Sequence, residues 1–384
     1  MPYLDHNATS TLRPEARAAM ARACQIHGNP SSVHRSGRVA RALVEDAREQ
    51  VARLVNANPA NVIFTSGGTE ANALALWGAV HGSAESGGLV RRLYASAIEH
   101  DSILGTMNAI AVRATGIRRA QVPATRDGAV DLDALRDLMR ESSGRALVAV
   151  MAANNETGVV QPIAEVSKLV RQHDGLLLVD AVQACGKIAT DFAALDADYL
   201  TVSAHKLGGP QGVGALVMKE DAPFAAQIHG GGQERSRRAG TENVAGIAGF
   251  GGVAKAIGDD NISRLEMLRN VFESGLRNCF PAAIVFGHNS QRTANTSNFA
   301  LPGIAAETAL IALDLDGVMV SSGAACSSGK VKPSHVLKAM GVPDDLARSA
   351  LRVSLGWDSS ESDVDATLAS LGKLGTRISA RKAA

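Results

Sequence analysis

Short apolar, β-rich runs alternate with segments of helical period through the first two thirds of the chain. NVIFTS, RLYASAIEH, RRAQVPA, ALVAVMAANN, LLLVD and YLTVSAHK read as strands, and QGVGALVMK as one more. Between them lie helical patterns. Val39, Leu43, Ala47, Val51 and Leu54 recur at three- and four-residue intervals and predict an amphipathic helix from Arg38 to Val55. Thr11 and Pro14 signal an earlier helix start before RAAMARACQ. Strands spaced by helices in this way predict a parallel sheet with crossover helices. From roughly Asn261 onward the pattern changes. Leu265, Leu268, Val271, Phe272 and Leu276 mark a helix, and AAIVFG, NTSNFALPG, AAETALIALDLDG, VMVSSG, HVLKAMGV and ALRVSLG predict a second region of βαβ type.

Polar residues gather where the predicted strands end. In an open parallel sheet, ligands sit outside the carboxyl ends of the strands. Thr69, His100, Asn155, Asp180 and Lys206 all follow such ends and therefore share one edge. Ser66-Gly67-Gly68-Thr69, between a strand and a helix, brings free N–H groups and the helix dipole to one point, an anion cup to which the Ser66 and Thr69 hydroxyls can add. This stretch is neither GxGxxG nor a Walker loop, so dinucleotide and ATP binding are not indicated. A carboxylate and a lysine on neighbouring strand ends suit pyridoxal phosphate, whose aldehyde a lysine amine captures and whose ring nitrogen a carboxylate keeps protonated. Taken singly, a helix-capping Asp180 and a solvated Lys206 would explain the same residues; the convergence on one edge favours the cofactor.

Composition narrows the classes further. The chain has 384 residues, enough for two domains, with 46% hydrophobic and 20% charged residues, as in an ordinary globular enzyme. A net charge of +1 and only 3% aromatic residues give no field or stacking surface for nucleic acid. No apolar stretch approaches the ~18 residues of a membrane span, and MPYLDHNATS does not resemble a signal peptide. Cys24, Cys185, Cys279 and Cys326 are widely separated, which argues against a zinc ribbon or a disulfide framework and for a cytoplasmic protein. Cys24, Cys185 and Cys279 fall in helix-like or apolar contexts and are expected to pack. Cys326 sits among Ser, Ala and Gly in SSGAACSSGK, near Lys330, Lys332 and His335, a setting expected of an exposed, reactive thiol. Arg352 is a lone charge in an apolar strand and needs a partner, either a substrate carboxylate or a structural ion pair.

YLDHNATS, GNPSSVH, FTSGGTE, IEHDSIL, ANNETGVVQPI, VDAVQACGKI, SAHKLGGPQGVGAL, HGGGQERSRRAGTENV, SSGAACSSGKVKPSHVLKAMG and LRVSLG occur in this order from Tyr3 to Gly356. Together they resemble the cysteine desulfurases of the NifS/IscS type, in the class-V branch of the fold-type-I pyridoxal phosphate enzymes. The resemblance implies an α/β fold with a large domain over residues 14–261, built on a mostly parallel seven-stranded sheet. Residues 1–13 and 262–384 would form a smaller α+β domain carrying the Cys326 loop. It implies that Lys206 carries the internal aldimine and shuttles the α-proton, that Asp180 pairs with the ring nitrogen and Gln183 with the ring hydroxyl, and that His100 stacks on the ring. Gly68, Thr69, Ser203 and His205 would hold the phosphate, joined by Thr241 from the other subunit of a homodimer. Asn155 and Arg352 would bind the carboxylate of L-cysteine. Cys326 would take its sulfur as a persulfide, release alanine, and pass the sulfur to an iron–sulfur scaffold or another acceptor protein. No resident metal is implied, although in some members the matching cysteine transiently ligates an iron–sulfur cluster.

The nearest alternatives of the same fold are a selenocysteine lyase and an aminotransferase, and an aminotransferase would not need Cys326. A catalytically idle docking protein has no chemical reason to keep Lys206, Asp180, His100 and Cys326 together. SGAACSSG and TEANA depart mildly from the commoner SGSACTSG and TESDN, and the last helix lacks the longer tail with which some members dock a scaffold.

Overall fold

A computed structural model describes residues 1–86, 88–140, 144–257, 262–322 and 333–383; the side chains of 85, 86 and 379–383 are outside the description. Its main sheet contains β1 (Val62–Thr65), β2 (Val90–Ser96), β3 (Arg118–Val122), β4 (Arg145–Met151), β5 (Leu176–Asp180), β6 (Tyr199–Ser203) and β7 (Gly214–Met218). The spatial order is β1-β7-β6-β5-β4-β2-β3. β3, β2, β4, β5 and β6 pair in parallel, whereas β7 is antiparallel to both β6 and β1. β1 therefore runs with the parallel set, and all these strands except β7 end on one edge.

Both faces of the sheet are covered, which explains why its strands read as continuous apolar runs. In β4, Ala146, Val148 and Val150 enter one core, and Leu147 and Ala149 enter the other. The first core receives the helices Arg35–Leu54 and Val244–Ala256, and the second receives Gly68–Ser86 and Asp101–Arg113. In the helix Arg35–Leu54, Ala47 and Val51 of the expected stripe are buried, together with Gly37, Ala40, Val44, Arg48 and Ala52, whereas Leu43 and Leu54 are half-buried and Val39 is exposed. Arg48 reaches the core because its guanidinium forms a forked pair with buried Glu234, at 2.7 and 2.9 Å. The first helix, Pro14–Cys24, starts on Pro14 as expected, but Arg13 rather than Thr11 is its N-cap. Cys24 is exposed on that helix, contrary to the packing role expected for it.

The second sheet is antiparallel, not βαβ: β8 (Ile284–Val285), β9 (Thr296–Ala300) and β10 (Ala350–Ser354) stand in the order β10-β9-β8. VMVSSG makes only isolated bridges, through Met319 to Tyr3 and Ser321 to Arg352. Leu268, Phe272, Phe299, Leu351 and Leu371 form this core, together with Leu4 from the N-terminal segment. That segment lies along β10 by the Asp5–Ser354 bridge before crossing to the main sheet.

Candidate active site

The shared strand edge brings the expected residues to one place, and the register says how. Asp180 ends β5 opposite Thr201 of β6, and Ser203 ends β6 opposite Gly214 of β7. Thr65, at the end of β1, also faces Gly214. A Cβ on Gly214 would lie 2.7 Å from the carbonyl carbon of Gly67, and one on Gly68 would lie 2.9 Å from Val182 Cγ2. Only glycine allows this loop to fold so closely over the sheet. The helix Gly68–Ser86 begins there, and its first N–H groups have no intrahelical acceptor. Thr69 is exposed in this cup. Ser66 is not available to it: its amide donates to Glu70 Oε2 at 3.0 Å and its hydroxyl bonds the same oxygen. Arg238 in turn pairs with Glu70 at 2.8 Å, tying the Gly- and Arg-rich loop to the start of the helix. Thr241, on that loop, is exposed.

Asp180 is buried and held at both oxygens. Oδ2 accepts from Asn72 Nδ2 at 2.8 Å and Oδ1 from the Val182 amide at 2.9 Å. Asn72 is itself fixed by the Thr201 hydroxyl, donating to Oδ1 at 2.7 Å. Behind Asp180 lies Glu99, whose carboxyl is pushed up to about 8 by burial, against the opposing bonds from Ser96 and Met151 and with Asp180 adding to the rise. At neutral pH this favours the uncharged form of Glu99. His100 is the N-cap of the helix Asp101–Arg113, its Nδ1 accepting from the Ser102 amide at 3.1 Å. That bond leaves the ring proton of the neutral imidazole on Nε2.

Lys206 follows β6 on a short 3-10 turn, and its Nζ donates to the carbonyls of Asn7 and Ala8, both at 2.7 Å. Burial pulls its amine down to about 8, with Arg352 lowering it further and Asp5 and Asp180 opposing. His205 is lowered to about 4 by burial and then by Lys206, and is neutral; its Nδ1 lies 3.2 Å from Thr9 Oγ1. Gln183 Nε2 donates to the Asn7 carbonyl at 2.9 Å. Arg352 forms the structural ion pair that was one of its two expected alternatives. Nη2 pairs with Asp5 at 2.7 Å and Nη1 donates to the Asn155 carbonyl at 2.9 Å, while buried Nε has no partner among the described residues. It is the backbone of Asn155 that meets Arg352.

Cys326, Lys330 and Lys332 lie outside the described residues. Both flanks of their segment are tied to the site. Ser321 is bridged to Arg352, and Ser334 donates its hydroxyl to Glu156, next to Asn155. His335 Nε2 sits 2.9 Å from the Glu99 carbonyl. Five polar residues at the site were missed by the sequence reasoning: Asp5, Asn7, Asn72, Glu99 and Lys187. Asp5, Asn7, Glu99 and Lys187 stand inside the motif stretches and Asn72 two residues beyond FTSGGTE, so position in or beside a motif was the available signal.

Fold and site together define a class-V aminotransferase. A family model described as aminotransferase class-V matches residues 2–367, and the chain belongs to that family. It is 40% identical over 372 residues to an IscS-like cysteine desulfurase of Mycobacterium tuberculosis, covering 96% of this chain and 94% of that protein. It is 39% identical to cysteine desulfurase IscS of Dictyoglomus turgidum, with coverage of 95% and 92%. A NifS-like protein from Rickettsia africae has a solved structure that superposes with a TM-score of 0.87 at 34% identity, over 97% of this chain and 99% of that one.

Membership in this family makes pyridoxal 5′-phosphate the resident cofactor. The residues present fit it. The buried Ser203 hydroxyl has no partner among the described residues and lies at the cup end of β6. The glycine-lined cup offers amides to a phosphate, and each Asp180 oxygen keeps a second lone pair for a ring N–H. Lys206 supplies an amine whose neutral fraction is large near pH 8. Above that value the amine is free to attack an aldehyde; below it, protonation removes the lone pair. Cofactor-free protein mixed with pyridoxal phosphate is expected to gain its visible absorbance about fivefold faster at pH 8 than at pH 7, as the neutral fraction rises from roughly a tenth to a half. A flat stopped-flow profile over that range would contradict the lowered amine.

Proposed function

We propose that this chain is a pyridoxal phosphate-dependent L-cysteine desulfurase that works as a cytoplasmic homodimer and delivers sulfur to an iron–sulfur scaffold or another acceptor protein. The observation that carries the reading is the lowered amine of Lys206 beside the buried carboxylate of Asp180 on adjacent strand ends, in a chain that matches cysteine desulfurases along nearly its whole length. Among the described residues no helix is long and apolar enough to cross a membrane, and no His, Cys, Asp or Glu group is arranged to hold a metal ion. The division expected from the sequence, residues 14–261 against residues 1–13 with 262–384, is retained as part of the proposal.

The cofactor, when bound, supplies the electron sink that lets the substrate's α-proton leave. Each remaining step falls to the chain. Lys206 holds the cofactor through Nζ and then, freed by the incoming substrate, moves the α-proton. Asp180, whose oxygens accept from Asn72 and the Val182 amide, would pair with the ring nitrogen. Gln183 would donate to the ring oxygen, and His100 would stack on the ring. Gly68, Thr69, Ser203 and His205 bind the phosphate, with Thr241 contributed by the second subunit. Arg352 and Asn155 orient the substrate carboxylate, Arg352 exchanging its bond to Asp5 for the ligand. The thiol of Cys326 attacks the substrate sulfur. The C–S bond breaks as an S–S bond forms, the thiol hydrogens pass to the new methyl group and the persulfide, and alanine leaves. The described flanks support this assignment, since Ser321 is bridged to Arg352 and Ser334 bonds Glu156, next to Asn155.

The test is the fate of L-cysteine supplied without any keto acid. Alanine should accumulate in step with sulfur; a strict requirement for a keto acid would favour an aminotransferase instead.

A further inference from the structure

Lys187 lies four residues beyond Gln183, on the turn that follows β5, and no role has been given to it so far. Its Nζ donates to Gln183 Oε1 at 2.6 Å and to Asn7 Oδ1 at 2.9 Å. Among the described residues no carboxylate pairs with it. It lines a cavity with His6, Arg13, Lys206, Asn295 and Trp357, between the main sheet and the second sheet.

A lysine ammonium has three donors and no acceptor, and side-chain amides have an oxygen at one end and an NH2 at the other. The ends that meet Lys187 must therefore be the oxygens. This fixes the other ends. Gln183 Nε2 turns toward the Asn7 carbonyl, at 2.9 Å, and Asn7 Nδ2 turns toward the Asn155 carbonyl and Thr296 Oγ1, at 3.1 and 2.9 Å. Asn295 adds a second donor to Asn7 Oδ1 at 3.0 Å. Asn7 in turn accepts from Lys206, so one network with a single donor-to-acceptor sense joins Lys187, Gln183, Asn7, Asn155 and Lys206.

We propose that Lys187 is a positioning residue that sets the donor direction of Gln183, so that Nε2 and not Oε1 is presented to the ring oxygen of the cofactor. The proposal rests on the pyridoxal phosphate reading above. Without the Lys187 donor, only the Asn7 carbonyl still holds the Gln183 amide in this sense, and the amide is freer to turn and direct a lone pair at an anionic oxygen. The charged groups around Lys187 are Lys206 and Arg352, His6 backed by Asp358, Arg13 on the cavity wall, and beyond Lys206 the carboxylates Asp5 and Asp180. Burial lowers the Lys187 amine well below its ordinary value, and Lys206 and Arg352 lower it further. A carboxamide or hydroxyl at this position could accept as well as donate and would not fix the sense of the network.

The test is an absorbance titration of the holoenzyme. A donor at the ring oxygen favours its anionic form, so Lys187→Met is expected to raise the midpoint of the pH-dependent change in the visible band by roughly one unit. Lys187→Arg, which keeps donors toward both oxygens, should stay near the wild-type midpoint. In a Gln183→Met background, Lys187→Met should add no further shift. An unchanged midpoint in Lys187→Met at full cofactor content would overturn the proposal, and so would an additive shift in the double variant, which would mean that Lys187 acts as a bare charge. If Lys187→Met does not fold, Gln183→Met alone decides: an upward shift supports the proposal and no shift overturns it. A wild-type preparation that acquires no visible band from pyridoxal phosphate would instead defeat the cofactor reading itself.

Discussion

Lys206→Ala abolishes the visible cofactor band and lowers desulfuration by about 10⁴-fold or more, because one substitution removes the covalent anchor and the group that moves the α-proton. The neighbours cannot substitute for it. Lys187 is committed to Gln183 and Asn7, and Arg352 is a guanidinium that does not give up its proton. The same variant has a second signature in the cofactor-free protein. The folded-state amine of Lys206 is lowered from 10.5 to about 8, so the folded protein binds its proton less readily than the unfolded chain. The resulting destabilisation is absent above about pH 10.5, grows as pH falls toward 8, and is complete below 8. Cofactor-free Lys206→Ala should therefore gain on the wild type in thermal melts as pH falls through that window, less the loss of its two bonds to Asn7 and Ala8. A constant difference between the two proteins from pH 7 to pH 10 would contradict the burial assigned to this lysine.

Cys326→Ala has the complementary phenotype. The visible band and its response to L-cysteine persist, since Lys206, Asp180 and Gln183 are untouched, while alanine formation falls by at least about 10³-fold for want of a sulfur acceptor. The remaining described cysteines offer no substitute. Cys185 is buried, with its thiol pushed up to about 12, and Cys24 and Cys279 belong to helices outside the site. Spectral titration with L-cysteine, followed by alanine quantification, separates the two steps. Undiminished turnover in this variant would sink the assigned chemistry.

The main sheet was legible because a strand covered on both faces is apolar throughout, and β4, β5 and β6 show that in their letters. Their ends were legible for the same reason: Asn154, Asp180 and Ser203 are the first polar residues at the ends of these runs, with His205 and Lys206 close behind Ser203. The second sheet was harder to see. β8 has only two residues, and an antiparallel meander leaves no period that separates it from a βαβ unit. In the helix Arg35–Leu54 the stripe was read correctly at Ala47 and Val51 but one position early in the first half, because Val39-Leu43 and Ala40-Val44 both fit a helical repeat. Arg48, which decides between them, looks like a surface residue until Glu234 arrives from far along the chain. Asn7 and Lys187 carried no signal of their own, since a turn asparagine and a turn lysine are ordinary and their partners lie on distant segments. His100 illustrates a different outcome: it caps the helix Asp101–Arg113, a role the resemblance did not name, and its stacking role belongs to the proposal.

A single-turnover reaction tests the central claim most directly. Holoenzyme is mixed with one equivalent of L-cysteine in the absence of any acceptor or reductant, and alanine and the intact protein mass are measured together. The account predicts one alanine per chain and a mass gain of one sulfur atom, located at Cys326 by peptide mapping and absent from Cys326→Ala. Alanine released with no sulfur on the protein, or with the sulfur on another residue, would contradict it.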